Sequence, residues 1–91
     1  MSDCERTVQI VNKRGLHARA SAKFVTMASG LPVEVSVRKD GNSVVGTSIM
    51  GLMMLGAAKG DEITISASGS GAEDAVASLA DLVEARFNEA E

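Results

Sequence analysis

The chain has no tryptophan, no tyrosine and only two phenylalanines, Phe24 and Phe87. Most platforms for base stacking are therefore missing, and a net charge of −3 lacks the positive balance by which nucleic-acid binders neutralise phosphates. A single cysteine, Cys4, excludes an internal disulfide and a cysteine-rich metal site. No apolar run reaches the roughly 18 residues that a membrane helix needs, and no signal-peptide pattern is present. A cytoplasmic protein without membrane insertion is expected. Neither the Gly-Lys-Ser/Thr of a phosphate-binding loop nor the Gly-x-Ser-x-Gly of a nucleophile elbow occurs. One histidine, His17, with scattered carboxylates falls short of a zinc site, so neither metal nor cofactor is expected.

What is there suffices for one domain, spanning residues 1–91, with 45% hydrophobic residues and a core of Val, Ile, Leu, Met and Ala. Residues 1–5 are polar and read as loose. Residues 7–11 alternate as a first strand, with Val8 and Ile10 on one face. Ala20, Phe24, Met27 and Ala28 recur at helical spacing over 18–28, and Ser29-Gly30 is a stop signal. Val33, Val35 and Val37 mark a second strand, with Pro32 at its start. Asp40-Gly41 predicts a tight hairpin into a third strand over 43–46. Residues 48–55 predict a short helix with Thr47 or Ser48 as N-cap and Gly56 at its end. Its apolar residues suit either full burial or an exposed docking patch, and Met50, Met53 and Met54 fit both. Ile63, Ile65 and Ala67 give a fourth strand. Ser70 and Glu73 form a capping-box pair ahead of a final helix whose apolar stripe is Val76, Leu79, Ala80, Val83 and Phe87. The order βαββαβα predicts an α+β two-layer open-faced sandwich: a four-stranded, mainly antiparallel sheet covered on one face by three helices.

The most informative stretch is Gly15-Leu16-His17-Ala18-Arg19. Gly15 supplies a bend, and His17 falls at a helix start, as N-cap or first-turn residue. A helix start has unpaired N–H groups and the positive end of the macrodipole. It therefore favours an anion, and disfavours a cationic ring by roughly 0.3–1 kcal/mol. A phosphoryl group on the ring would meet donors there, and Arg19 adds a guanidinium fork suited to phosphate oxygens. Ser21 shares a helix face with His17 but has no third partner for nucleophilic catalysis. With pockets, metals and nucleophile elbows set aside, a group carrier remains, next to the plain alternative of a surface histidine that merely caps a helix.

Two motifs in register, Gly15-Leu16-His17-Ala18-Arg19 and Ser48-Ile49-Met50-Gly51-Leu52-Met53 with Ala58-Lys59-Gly60 and Ile63-Thr64-Ile65 behind it, resemble the histidine-containing phosphocarrier (HPr) family. That family belongs to the bacterial phosphoenolpyruvate-dependent phosphotransferase system, and the likeness covers essentially the whole chain. The resemblance implies that His17 takes a phosphoryl group on Nδ1 from phosphorylated enzyme I and passes it to an EIIA-type protein. Arg19 would assist at the phosphate. Ala18, Ala20, Ile49, Met50 and Met53 would belong to the docking surface. Ser48 matches the family's regulatory serine, phosphorylated by an HPr kinase/phosphorylase in lineages that have one, and it also suits a helix N-cap. The chain is expected to be a monomer, and a phosphoryl-group carrier rather than an enzyme. Ala20 stands where the family pattern usually has proline, which gives up a fixed φ but keeps helix propensity. Sugar uptake and nitrogen or carbon regulation both stay open as the branch served. A second class, a serine-phosphorylated regulatory module without phosphohistidine transfer, shares the Ser48 and methionine patch. A small RNA binder would need aromatics on its sheet, which Thr7, Gln9, Glu34, Ser36 and Thr64 do not supply.

Overall fold

Apolar residues recur at every second position in the strands and every third or fourth in the helices, and the resulting elements pack as two layers. The computed structural model describes residues 3–89. Along the chain run β1 (Asp3–Gln9), α1 (Ala18–Ser29), β2 (Val35–Lys39), β3 (Asn42–Val45), α2 (Ile49–Met54), β4 (Glu62–Ser68) and α3 (Ala72–Glu84). The strands form one sheet in the order β1-β4-β2-β3, and every pairing in it is antiparallel. Val8, Val35, Val37, Ile63, Ile65 and Ala67 point into the core, where they meet Phe24 of α1 and Val76, Leu79 and Val83 of α3. The alternate strand residues Thr7, Gln9, Arg38 and Thr64 line the open face, where Thr7 and Thr64 share a hydrogen bond of 2.9 Å. The hairpin at Asp40-Gly41 has φ of 50° and 83° and pairs Lys39 with Asn42, the left-handed two-residue turn that Asp-Gly favours.

Several boundaries differ from the sequence pattern. The first strand begins at Asp3, because Asp3, Cys4 and Glu5 pair with Ser68, Ala67 and Ser66 of β4; only residues 1 and 2 of the segment read as loose lie outside the described residues. Backbone pairing along a neighbour's edge leaves no hydrophobic period to read. The second strand begins at Val35 rather than Val33. Met27, placed on the buried stripe of α1, is 36% exposed, and the buried face consists of Ala20, Ser21, Phe24 and Ala28.

The capping box at Ser70 and Glu73 does not form. The N-cap of α3 is Gly71 at φ 91°, with no side-chain capping bond, and Glu73 and Asp74 instead place negative charge in the first turn. Phe87 is not on α3 at all. The helix ends at Glu84, and Arg86, Phe87 and Asn88 follow in left-handed backbone with φ of 59°, 54° and 59°. Phe87 is nonetheless fully buried. Each non-glycine residue in this region costs roughly 1–2 kcal/mol. Burial of the Phe87 ring, about 1.5–3 kcal/mol, offsets part of that, and a hydrogen bond of 2.7 Å from Lys23 Nζ to Phe87 O adds to it. Among the described residues no helix is long and apolar enough to cross a membrane.

Candidate functional site

The site is built where the β1–α1 loop, the start of α1 and the chain beyond α3 meet. Gly15 makes the bend at φ +65°, and a Cβ there would overlap Ala57 O and lie 2.9 Å from Ala58 Cα. Only glycine meets both demands. Leu16, buried, donates its N–H to Ala57 O at 2.9 Å and ties the loop to the chain after α2. His17 follows as the N-cap of α1 in extended backbone, φ −72° and ψ 178°, with no side-chain capping bond. The first bond into the helix runs from Ser21 N–H to His17 O at 2.9 Å. The N–H groups of Ala18, Arg19 and Ala20 thus have no acceptor within the helix. Ser21 Oγ donates to Leu16 O at 3.1 Å inside the core, so this hydroxyl is committed to the backbone and serves no nucleophilic role with His17.

The imidazole is half-buried, and its Nε2 lies 2.7 Å from Oε2 of Glu89, 72 residues away in sequence. The other carboxylate oxygen, Oε1, accepts from Asn12 Nδ2 at 3.0 Å. Asn12 is fully buried and donates also to Gly15 O at 2.8 Å, so one amide nitrogen braces both the glycine bend and the carboxylate. Desolvation pushes the Glu89 carboxyl up, but the hydrogen bonds from His17 and Asn12, with the charges of His17 and Lys23, outweigh it and hold the group below its ordinary value. Among the described residues no hydrogen bond reaches His17 Nδ1. Lys13, Arg14, Arg19 and Lys23 line an open cavity of about 710 Å³ with His17, Asn88 and Glu89. Arg19 is exposed and has no ion pair among the described residues. Among the described residues lining it, cationic side chains outnumber carboxylates, which suits a group of high negative charge.

The second segment of interest is α2, which packs against α1. Ser48 is its N-cap, with Oγ accepting from Gly51 N–H at 3.0 Å. Leu52 and Leu55 fill the core, while Ile49, Met50, Met53 and Met54 are 40%, 72%, 42% and 81% exposed. Full burial of α2 is thereby ruled out, and the methionines form an apolar surface in the helical layer.

Residues 4–85 match the family described as the PTS HPr component phosphorylation site. The chain belongs to the HPr phosphocarrier family. It is 47% identical to the phosphocarrier protein HPr of Neisseria meningitidis serogroup A over 96% of this chain and 98% of that one. It is 37% identical to the phosphocarrier protein NPr of Escherichia coli K12 over 93% of this chain and 96% of the relative. Among solved structures, HPr of Thermoanaerobacter tengcongensis superposes with a TM-score of 0.90 at 43% identity, covering 97% of this chain and 99% of that one.

Within this HPr-family chain, the candidates from the sequence divide by location. His17, Ala18 and Arg19 sit together at the start of α1, with Ala18 and Arg19 exposed. Ile49, Met50 and Met53 are on the outer side of α2, and Ser48 is half-buried at its head. Ala20, expected at the docking surface, has its side chain fully buried in the core. Asn12, Lys23 and Glu89 were not legible as site residues. Asn12 reads only as part of a polar turn, and Glu89 lies beyond residue 85, where the family match ends.

Proposed function

We propose that this chain is a cytoplasmic phosphoryl carrier, a single working unit and not a catalyst of its own, with His17 as the group that is loaded and unloaded. In this reading Nδ1 attacks the phosphorus carried by phosphorylated enzyme I. A P–N bond forms as the bond to the donor breaks, and the same group later passes to an EIIA-type acceptor of a sugar-uptake or a regulatory branch. The observation that carries the reading is His17 as N-cap without a capping bond, next to three backbone N–H groups lacking helical acceptors. Transferred phosphate oxygens would find those donors and the positive helix end in place. Arg19 would neutralise charge on the group in transit, with its planar fork matched to two oxygens.

Ala18, Ile49, Met50 and Met53 would form the apolar part of the docking surface, and enzyme I and the acceptor would use it in turn. Ser48 would be the regulatory position where an HPr kinase/phosphorylase is present. Its half exposure leaves the hydroxyl reachable, and a phosphate of about two negative charges beside the methionines would have to be desolvated on contact with a partner. The test is incubation of the chain with enzyme I and labelled phosphoenolpyruvate, followed by acid and by base. Label lost in acid and kept in base is the expected result. Label that survives acid would favour the phosphoserine module instead.

A further inference from the structure

We propose that Glu89, braced by Asn12, is a positioning residue for phosphoryl transfer: it accepts the Nε2 proton of His17, leaves the lone pair on Nδ1, and keeps that proton on the loaded ring. The inference rests on the reading of His17 as the carrier group.

A carboxylate can only accept, so at 2.7 Å the proton of a neutral ring belongs on Nε2 and the nucleophilic pair on Nδ1. The carboxylate is itself oriented, since its second oxygen is held by Asn12 at 3.0 Å. Asn12 has one orientation available, because exchanging its amide nitrogen and oxygen would set a carbonyl against both Gly15 O and the Glu89 carboxylate. Its own Oδ1 is buried without a hydrogen bond among the described residues, so the side chain gives up one bond to keep both donors where they are. Glu89 is delivered by the left-handed turn, with Phe87 sealed in the core and Lys23 bonded to its carbonyl.

When Nδ1 attacks phosphorus, the Nε2 proton stays and the ring becomes a phosphorylated imidazolium. On donation the P–N bond breaks, its electron pair returns to Nδ1, and the ring departs as neutral imidazole. Had the Nε2 proton been lost, the ring would have to depart as an anion, a far poorer leaving group. Lys13 and Arg14 on the loop and Arg19 and Lys23 on α1 line the same cavity. Among the described residues lining the cavity, Glu89 is the one carboxylate, and it meets the ring at Nε2. Glu89 therefore extends donation to higher pH.

The full chain and its Glu89→Gln variant, each loaded with enzyme I and phosphoenolpyruvate, are compared in phosphoryl return to unphosphorylated enzyme I between pH 6 and pH 9. The alkaline limb of the variant should lie about one pH unit lower, giving a roughly tenfold slower return at pH 8 and equal rates near pH 6. Glu89→Asp should recover part of the difference. Nitrogen NMR of the unloaded ring should give the Nε2–H form in wild type and a mixture in Glu89→Gln. Superimposable pH profiles with the same ring form in both proteins would overturn the proposal. Failure of both proteins to take up phosphate would overturn the carrier reading and this inference with it.

Discussion

Helices α1 and α2 each begin with a polar residue in extended backbone, His17 and Ser48, yet only α2 is closed by its own side chain. Ser48 Oγ takes the Gly51 N–H at 3.0 Å, which satisfies one of the donors a helix start leaves over. His17 makes no such bond, and its ring turns instead to a carboxylate from the far end of the chain. The difference separates a cap that stabilises its helix from a residue that occupies the cap position and leaves the donors for something else.

The largest break in that contrast comes from the open end. His17→Ala should abolish acid-labile phosphate uptake from enzyme I while the far-ultraviolet circular dichroism spectrum is unchanged, because no capping bond is lost. Arg19→Ala should slow transfer by about ten- to hundredfold, corresponding to roughly 1.5–3 kcal/mol for a charge-assisted contact. Arg19→Lys should be impaired as well, since a point charge lacks the fork, and rapid-quench measurement of phosphoryl transfer distinguishes the three proteins. At the closed end, Ser48→Asp should raise the apparent KM for enzyme I by about 5–30-fold through repulsion and desolvation, equivalent to 1–2 kcal/mol. The chemistry at His17 should persist, so the maximal rate at saturating carrier should be kept. The smallest effect sharpens the contrast itself. Ser48→Ala should lower stability by about 1 kcal/mol in urea titration through loss of the capping bond, with phosphoryl transfer left close to wild type.

The legible parts of the structure are those whose information is local. Val8 and Ile10, Val35 and Val37, and Ile63 and Ile65 reveal strands because one face of an antiparallel sheet is buried. Asp40-Gly41 reveals a hairpin because left-handed φ at two successive residues selects that pair. His17 and Arg19 are legible as a pair at a helix start for the same reason, since bend, cap and helix are contiguous. The pairing of Asp3 to Glu5 is not, because a polar strand edge carries no hydrophobic signal. Ser70 and Glu73 have the spacing of a capping box, but Gly71 takes the cap position at φ 91° and displaces Ser70 from it. Phe87 keeps the helical period and yet leaves the helix, since its burial is reached through a left-handed turn that Arg-Phe-Asn does not announce. Glu89 depends on that turn, so its place beside His17 is set by tertiary structure.

In the proposed reading the open start of α1 carries phosphate on one nitrogen of one ring. Phosphorus and nitrogen NMR of the isotope-labelled chain, loaded with enzyme I and phosphoenolpyruvate, tests it most directly. A single phosphoramidate signal with phosphorus–nitrogen coupling to Nδ1 of His17, and a proton still on Nε2, is the result predicted. Phosphorus coupled to Nε2, or found as an acid-stable ester on Ser48, would contradict it.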